Sequence, residues 1–331
     1  MKKRPTVVDV ANRAKVGAST VSRYLRGVNV SPLIAHRIQQ AIDRLGYQPD
    51  EMARALRTGR AKSIGLVLPK VSTDFFSRCA QQFERVAAER GYTLLLLIHQ
   101  EDMAEQHRQF VTLRRLRVDG AIVVPVPGTI WSDVSRALGD IPVVFFDSPA
   151  SEEVDAVVLN NHAAAKGATE HLIKHRYRNI ACVYAKQNVY TYDRRAAGYL
   201  EAIKAHRKKP RIIAGSDYLH LQNLLADLFK DREAPDAILS LSDSLTLLIL
   251  TTLDQLGMPL EKRPALISFD DFKFAAHLTK ALTVVHQPVE AMADAAARLL
   301  FTRIEQDRIG RAQTVEINAD LIVRASCGCA P

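Results

Sequence analysis

The chain of 331 residues has no long apolar run. Its longer ones, such as residues 94–98 and 247–250, fall far short of the roughly 20 apolar residues that cross a bilayer. The opening Met-Lys-Lys-Arg carries the charge of a secretion signal. Residues 6–15 are interrupted by Asp9, Asn12 and Arg13, however, so no apolar signal core follows. Cysteine is scarce, with Cys79, Cys182, Cys327 and Cys329 the whole complement. The first two lie inside apolar patterns, where a free thiol behaves as a small hydrophobe. Cys327-Gly-Cys329 is a C-x-C with no second ligand pair nearby, a weak zinc signal, so no metal site is expected. This usage suits a reducing interior, and a soluble cytoplasmic protein is expected. Catalytic signatures are also missing: there is no Gly-rich phosphate loop, no Ser in G-x-S-x-G and no H-E-x-x-H. His175, His206 and His220 read as scattered surface residues of helices. Neither an enzyme nor a cofactor is expected.

The distribution of charge is uneven. The formal net charge is +9, and up to residue 62 there are 13 basic and four acidic residues, whereas the remainder holds 32 of each. A basic head on a neutral body points to a polyanion as the partner of the head.

The head reads as short helices. Thr6 with Asp9 resembles a capping box in which the acid replaces the usual Glu or Gln. Val7, Val10, Ala11 and Ala14 then form one apolar face, with a break at Lys15-Val-Gly17. A second helix begins near Ala18 and turns Val21, Tyr24 and Leu25 inward. Ser31-Pro32 opens a third, amphipathic through Ile34, Ile38, Ala41, Ile42 and Leu45 and stopped by Gly46. Asp50 begins a short helix through Leu56 with too little apolar surface to be stable alone.

From Ser63 onward apolar strand-like runs alternate with helical patterns. Strands are expected at 64–68, 93–98, 120–124, 142–146, 156–159, 180–184, 212–214, 237–240, 265–269 and 283–285. Helices are expected at 75–90, 104–117, 132–138, 162–175, 193–206, 220–230, 244–256 and 289–306. Repeated β-α alternation argues for parallel sheets covered by helices, and pattern breaks near 159–162 and 285–288 suit two such units.

The helix–turn–helix at residues 6–26 reads DNA by placing its second helix in the major groove. Ala18, Ser19 and Arg23 then face base edges or phosphates, an Arg being able to pair bidentately with guanine, and Thr20 and Ser22 can donate to phosphates. The stretch from Thr6 to Arg23 resembles the headpiece of the lactose-repressor (LacI/GalR) family. So do Leu45-Gly-Tyr-Gln-Pro49, Ala53-Arg-Ala-Leu56, Ile64-Gly-Leu-Val-Leu-Pro69, Arg90-Gly-Tyr92, Val118-Asp-Gly-Ala-Ile122, Arg195-Ala-Ala-Gly198, Phe269-Asp-Asp271 and Leu282-Thr-Val-Val-His-Gln-Pro288.

The resemblance implies an all-α helix–turn–helix headpiece and an α/β core of two lobes, like periplasmic binding proteins, with parallel sheets. It assigns residues 1–49 to the DNA-binding domain and 50–60 to a hinge helix and linker. One lobe takes residues 61–161 with 290–319, the other 162–289 with 320–331. It implies a homodimer on a pseudo-palindromic double-stranded operator, with Thr6 among the DNA-contacting residues. Paired hinge helices would fold on the DNA and insert Leu56, beside Ala53, into the minor groove. Between the lobes it places a small effector near Thr73, Asp74, Phe75, Phe76 and Asp147 from one side and Arg195, Ser242 and Asp270 from the other. The expected function is a transcriptional regulator, a repressor controlled by a carbohydrate-type effector: a sugar, sugar acid or sugar phosphate. A soluble small-molecule carrier and an enzyme on a two-lobed fold are the alternatives. No membrane partner and no heptad tail for tetramers are expected.

The chain also departs from the family pattern. Lys15 replaces a turn glycine and Gly17 a capping serine. Ser242-Asp243 stands for Asn-Asp, Asp147-Ser148 for Asp-Arg, and Thr73 for an Asn. Lys70 lies where an acid is common, and with Arg195 it motivates the expectation of an acidic effector.

Overall fold

A computed structural model of the chain describes residues 5–25, 27–47, 60–184, 188–215, 217–305 and 310–329. It divides into two compact units, Met1–Ala61 and Lys62–Pro331.

Among the described residues, the first unit holds three helices, α1 (Val7–Ala14), α2 (Ala18–Leu25) and α3 (Pro32–Leu45). They close on a small core of Val10, Ala11, Ala14, Val21, Ile38, Ala41 and Tyr47. The capping box is present: Asp9 N–H donates to Thr6 Oγ1 at 3.3 Å, and Thr6 N–H donates to the Asp9 carboxylate at 2.8 Å. Lys15 adopts the left-handed conformation at φ 52°, a position that favours glycine and costs other residues about 1 kcal/mol. Arg37 of α3 braces this turn by donating to the carbonyl of Lys15 at 3.2 Å. Leu25, expected inside, is exposed; Val21 and Tyr24 alone carry the apolar face of α2. The expected helix from Asp50 to Leu56, with Ala53 and Leu56, lies outside the described residues.

The second unit contains β1 (Ser63–Leu68), α4 (Asp74–Glu89), β2 (Thr93–Ile98), α5 (Met103–Leu116), β3 (Gly120–Val123), α6 (Trp131–Leu138), β4 (Val143–Phe146) and β5 (Asp155–Leu159). It continues with α7 (Asn161–Lys174), β6 (Ile180–Tyr184), α8 (Tyr190–Ala205), β7 (Arg211–Ala214), α9 (Tyr218–Lys230), β8 (Ala237–Ser240), α10 (Asp243–Gln255), β9 (Ala265–Phe269) and β10 (Thr283–His286). Last come α11 (Val289–Glu305), β11 (Thr314–Ile317), β12 (Asp320–Ile322) and a 3-10 turn at Ala325–Cys327. Among the described residues two six-stranded sheets result, ordered β11-β5-β4-β3-β1-β2 and β12-β10-β9-β8-β6-β7. All pairings are parallel except β10 with β12.

Parallel strands covered on both faces must be apolar throughout, and Val143-Val-Phe-Phe146 and Ala265-Leu-Ile-Ser-Phe269 are buried at every position. Edge strands β2 and β7 keep partly exposed residues. Strands β11 and β12 escaped the sequence reading because one alternates exposed and half-buried residues and the other is only three residues long. The chain crosses between sheets after β5, after β10 and again after β11, and α11 packs on α4 and on β3, β4 and β5 of the first sheet. Among the described residues no helix is long and apolar enough to cross a membrane.

Candidate nucleic-acid interface and ligand cavity

In the first unit the buried Val21 fixes which side of α2 faces out. Ala18, Ser19 and Arg23 are exposed, and Thr20 and Ser22 are half-buried at the margin. The first turn of α2 therefore presents small side chains, with one long cation a turn later. The Arg23 guanidinium donates to the carbonyl of Asn29 at 3.2 Å, which extends it along the loop after the helix. Thr6 is exposed, but its hydroxyl already donates to Asp9 at 2.7 Å, so its principal role here is the cap. Ala53 and Leu56, outside the described residues, have no place in this geometry.

In the second unit a cavity of about 570 Å³ opens at the carboxyl ends of the strands, the usual ligand position of open α/β sheets. It is lined by Thr73, Phe75, Phe76, Asp147, Arg195, Ser242 and Asp270, seven of the eight sequence candidates. Asp74 does not line it. It is the first residue of α4, and its carbonyl accepts from Ser77 Oγ at 3.1 Å.

Arg195 is the centre of the site. It is 3% exposed, donates to Asn161 Oδ1 and to the carbonyl of Leu241, each at 2.7 Å, and lies 4.1 Å over the Phe269 ring. Its placement depends on Gly198 one turn later: a Cβ there would fall 2.1 Å from the carbonyl oxygen of His162. Only glycine lets α8 approach α7 closely enough for Arg195 to reach Asn161.

Asp147 and Asp270 follow β4 and β9 at equivalent strand ends, both with positive φ, 65° and 74°. Both are nearly inaccessible. Burial pushes the Asp147 carboxyl up to about 6, opposed by Arg195 and aided by Asp270. Burial also raises Asp270, against Arg195. Asp270 accepts from the side-chain amide of Gln287 and from the backbone of Asp243. Ser242 caps α10, accepting from Leu245 N–H at 3.3 Å, and lies 3.4 Å from Tyr192 Oη. Phe75 belongs mainly to the core, stacked 6.4 Å from Phe146 with Phe76 edge-on at 5.1 Å. His99 Nε2–H donates to the carbonyl of Val124 at 3.0 Å, and Nδ1 accepts from Glu101 N–H at 3.1 Å; burial lowers the pKa of the ring.

Sequence reasoning missed Gln287, Tyr190, Tyr192 and His99, all lining residues. For the tyrosines the signal was the true start of α8 at Tyr190, three residues before the expected one. Thr73 Oγ1, Asp147 Oδ1 and Gln287 Oε1 are buried without a hydrogen-bond partner, and all three residues line the cavity. Such atoms cost about 1–3 kcal/mol each until something satisfies them. The lining charges are Lys70 and Arg195 against Glu101, Asp147, Asp193, Asp217, Asp243 and Asp270. Lys70 pairs with Glu101 at 3.8 Å.

Comparison with known proteins gives two family models. One, described as bacterial regulatory proteins of the lacI family, matches residues 6–50. The other, described as periplasmic binding proteins and sugar binding domain of the LacI family, matches residues 61–315. The HTH-type transcriptional repressor PurR of Klebsiella pneumoniae is 28% identical over 98% of both chains. The ribose operon repressor of Halalkalibacterium halodurans is 29% identical over 96% of both. Among solved structures, the transcriptional regulator CelR in complex with cellobiose superposes with a TM-score of 0.70 at 26% identity, covering 98% of this chain and 100% of that one. The lac repressor dimer bound to operator and the anti-inducer ONPF reaches 0.87 at 18% identity over 98% and 99%, a likeness of fold.

Proposed function

Because the chain belongs to the lacI family of bacterial regulatory proteins, we propose that it is a DNA-binding transcriptional repressor controlled by a neutral, hydroxyl-rich effector in the cavity of its second unit. The observation that carries the effector class is the pairing of three unpartnered buried polar atoms with a lining rich in carboxylates. Carboxylates and an amide oxygen accept hydrogen bonds, and sugar hydroxyls donate them. A sugar acid or phosphate would bring its charge toward Asp147 and Asp270, and both lining cations already face acids. Phe76, Tyr190 and Tyr192 offer apolar surface for a ring face.

On this reading residues 1–49 bind DNA, 50–60 form the hinge, and the two sheets, with residues 61–161 and 290–319 or 162–289 and 320–331, are the two lobes. A homodimer would read a pseudo-palindrome, with Ala18, Ser19 and Arg23 toward the major groove, Thr20 and Ser22 on phosphates and Leu56 in the minor groove. The effector acts by preferring one arrangement of the lobes. Asn161 and Gln287 lie at the crossings between sheets and bind Arg195 and Asp270, so a ligand on those two side chains also bears on the crossings.

The test is selection of an operator from a random duplex library, followed by gel shifts with neutral pentoses, hexoses and disaccharides beside the matching acids and phosphates. Salt-sensitive, sequence-selective binding altered by a neutral sugar is the expected result. No sequence preference would reject the repressor reading, and a response confined to acids or phosphates would reject the effector class.

A further inference from the structure

The C-x-C of the chain terminus looked solitary in sequence, and His175 looked like a surface residue. The fold brings them together. His171 and His175, one turn apart at the end of α7, face Cys327 and Cys329, and the donor atoms of all four lie within 4.8 Å of one another. Cys329 Sγ is 3.7 Å from His171 Nε2 and 3.1 Å from His175 Nε2. In a tetrahedral site with Zn–S near 2.3 Å and Zn–N near 2.0 Å, neighbouring donors stand about 3.3–3.8 Å apart. All four cysteines of the chain are free thiols.

The surrounding chain is shaped to hold this cluster. Ser326 is buried: its N–H donates to Ala281 O at 2.9 Å, and its hydroxyl accepts from Thr283 N–H at 2.7 Å and donates to Leu266 O at 2.5 Å. Cys327, fully buried, is fixed next by Tyr177 Oη, which donates to its carbonyl at 3.0 Å. The spacer between the cysteines is Gly328, with φ +91°, and a Cβ there would lie 2.3 Å from Tyr177 Oη. The conformation demands glycine, and the sharp reversal it permits returns the second thiol close to the first.

We propose that His171, His175, Cys327 and Cys329 form a structural Zn²⁺ site that ties the end of α7 to the terminal segment behind β12. Two sulfurs and two imidazole nitrogens at tetrahedral spacing select zinc, and four protein ligands leave no open position for catalysis. On binding, each thiol releases its proton to solvent and both imidazoles ligate in neutral form through Nε2. The two thiolates then balance the charge of the ion.

The experiment uses tag-free full-length protein, reduced with a phosphine and stripped with a chelator. It is then titrated with Zn²⁺ alone and, separately, with Co²⁺. The expected result is retention of about one zinc per chain through desalting, a higher melting temperature than the stripped protein, and intense visible bands of tetrahedral thiolate-bound Co²⁺. His175→Ala and Cys329→Ser, both peripheral to the core, should each lose retention and the Co²⁺ bands while keeping the circular dichroism spectrum. Substoichiometric zinc, the weak spectrum of octahedral Co²⁺, or unchanged uptake in both variants would overturn the proposal. DNA binding and effector response are not read, so its failure is distinct from failure of the repressor assignment.

Discussion

Replacing Asp147 by Asn should stabilise the protein, increasingly so as pH rises. Asp147 is 9% exposed, and burial of its carboxyl outweighs the attraction of Arg195, lifting its pKa to about 6. Against an ordinary value near 4, that makes the ionised form cost the fold roughly 3 kcal/mol. The sign follows from the direction of the shift. A folded-state value above the unfolded one gives a contribution fully present below about pH 4 and lost as pH rises through about 6. Asn is close in shape and never ionises, so it escapes the loss. Between pH 5 and pH 8 the advantage of the variant should grow by roughly 1.4 kcal/mol, about half the full effect. Over the 270 residues of Lys62–Pro331, an unfolding entropy of about 2.1 cal/mol/K per residue converts the full effect into roughly 5 °C. The assay is paired thermal unfolding of both proteins, without ligand, at intervals from pH 5 to pH 8. A difference in Tm that stays flat across that range, or a variant less stable at pH 8, would show that Arg195 compensates the buried charge and refute the reasoning.

Arg195→Met should cost about 3–5 kcal/mol in chemical denaturation, because it leaves two buried carboxylates facing no cation; a loss below about 1 kcal/mol would mean the acids are neutral in the fold. Thr6→Ala removes the capping box and should destabilise the headpiece by about 1 kcal/mol in a urea melt. An unchanged midpoint would assign the hold on α1 to its packing alone. Arg23→Ala should cost about 1–3 kcal/mol of preference at one base pair of the selected operator, read by competition gel shift. Equal weakening on every duplex would make Arg23 a phosphate contact instead.

Much of this fold is legible in sequence because buried parallel strands need unbroken apolar runs, and ten such runs became ten strands. The two strands that were missed, β11 and β12, sit at sheet edges, where half the surface meets solvent and the apolar signal thins. Local devices read well: Thr6 and Asp9 announce the cap of α1, and a lysine in a glycine position keeps the glycine's geometry. Seven of eight cavity candidates share one cavity because they follow strand ends or sit at the caps and in the first two turns of the helices after them, positions that chain order already marks. Charge balance was not legible. Lys70 and Arg195 looked like a basic pair until the fold set six acids around them, contributed by segments distant in sequence. The histidine and cysteine pairs escaped for a related reason, being about 150 residues apart along the chain.

The three crossings between sheets have a bearing on synthesis. When β1 through β5 have left the ribosome, the first sheet still lacks β11 at one edge and the whole of α11 over its centre. Leu300, fully buried beside Gly120, arrives some 180 residues after its neighbour. The first half of the core must therefore wait, one apolar face open, until the second half has been made around it. The second unit, built this way, completes its first sheet late, and chaperone demand during translation should fall mostly on residues 63–159.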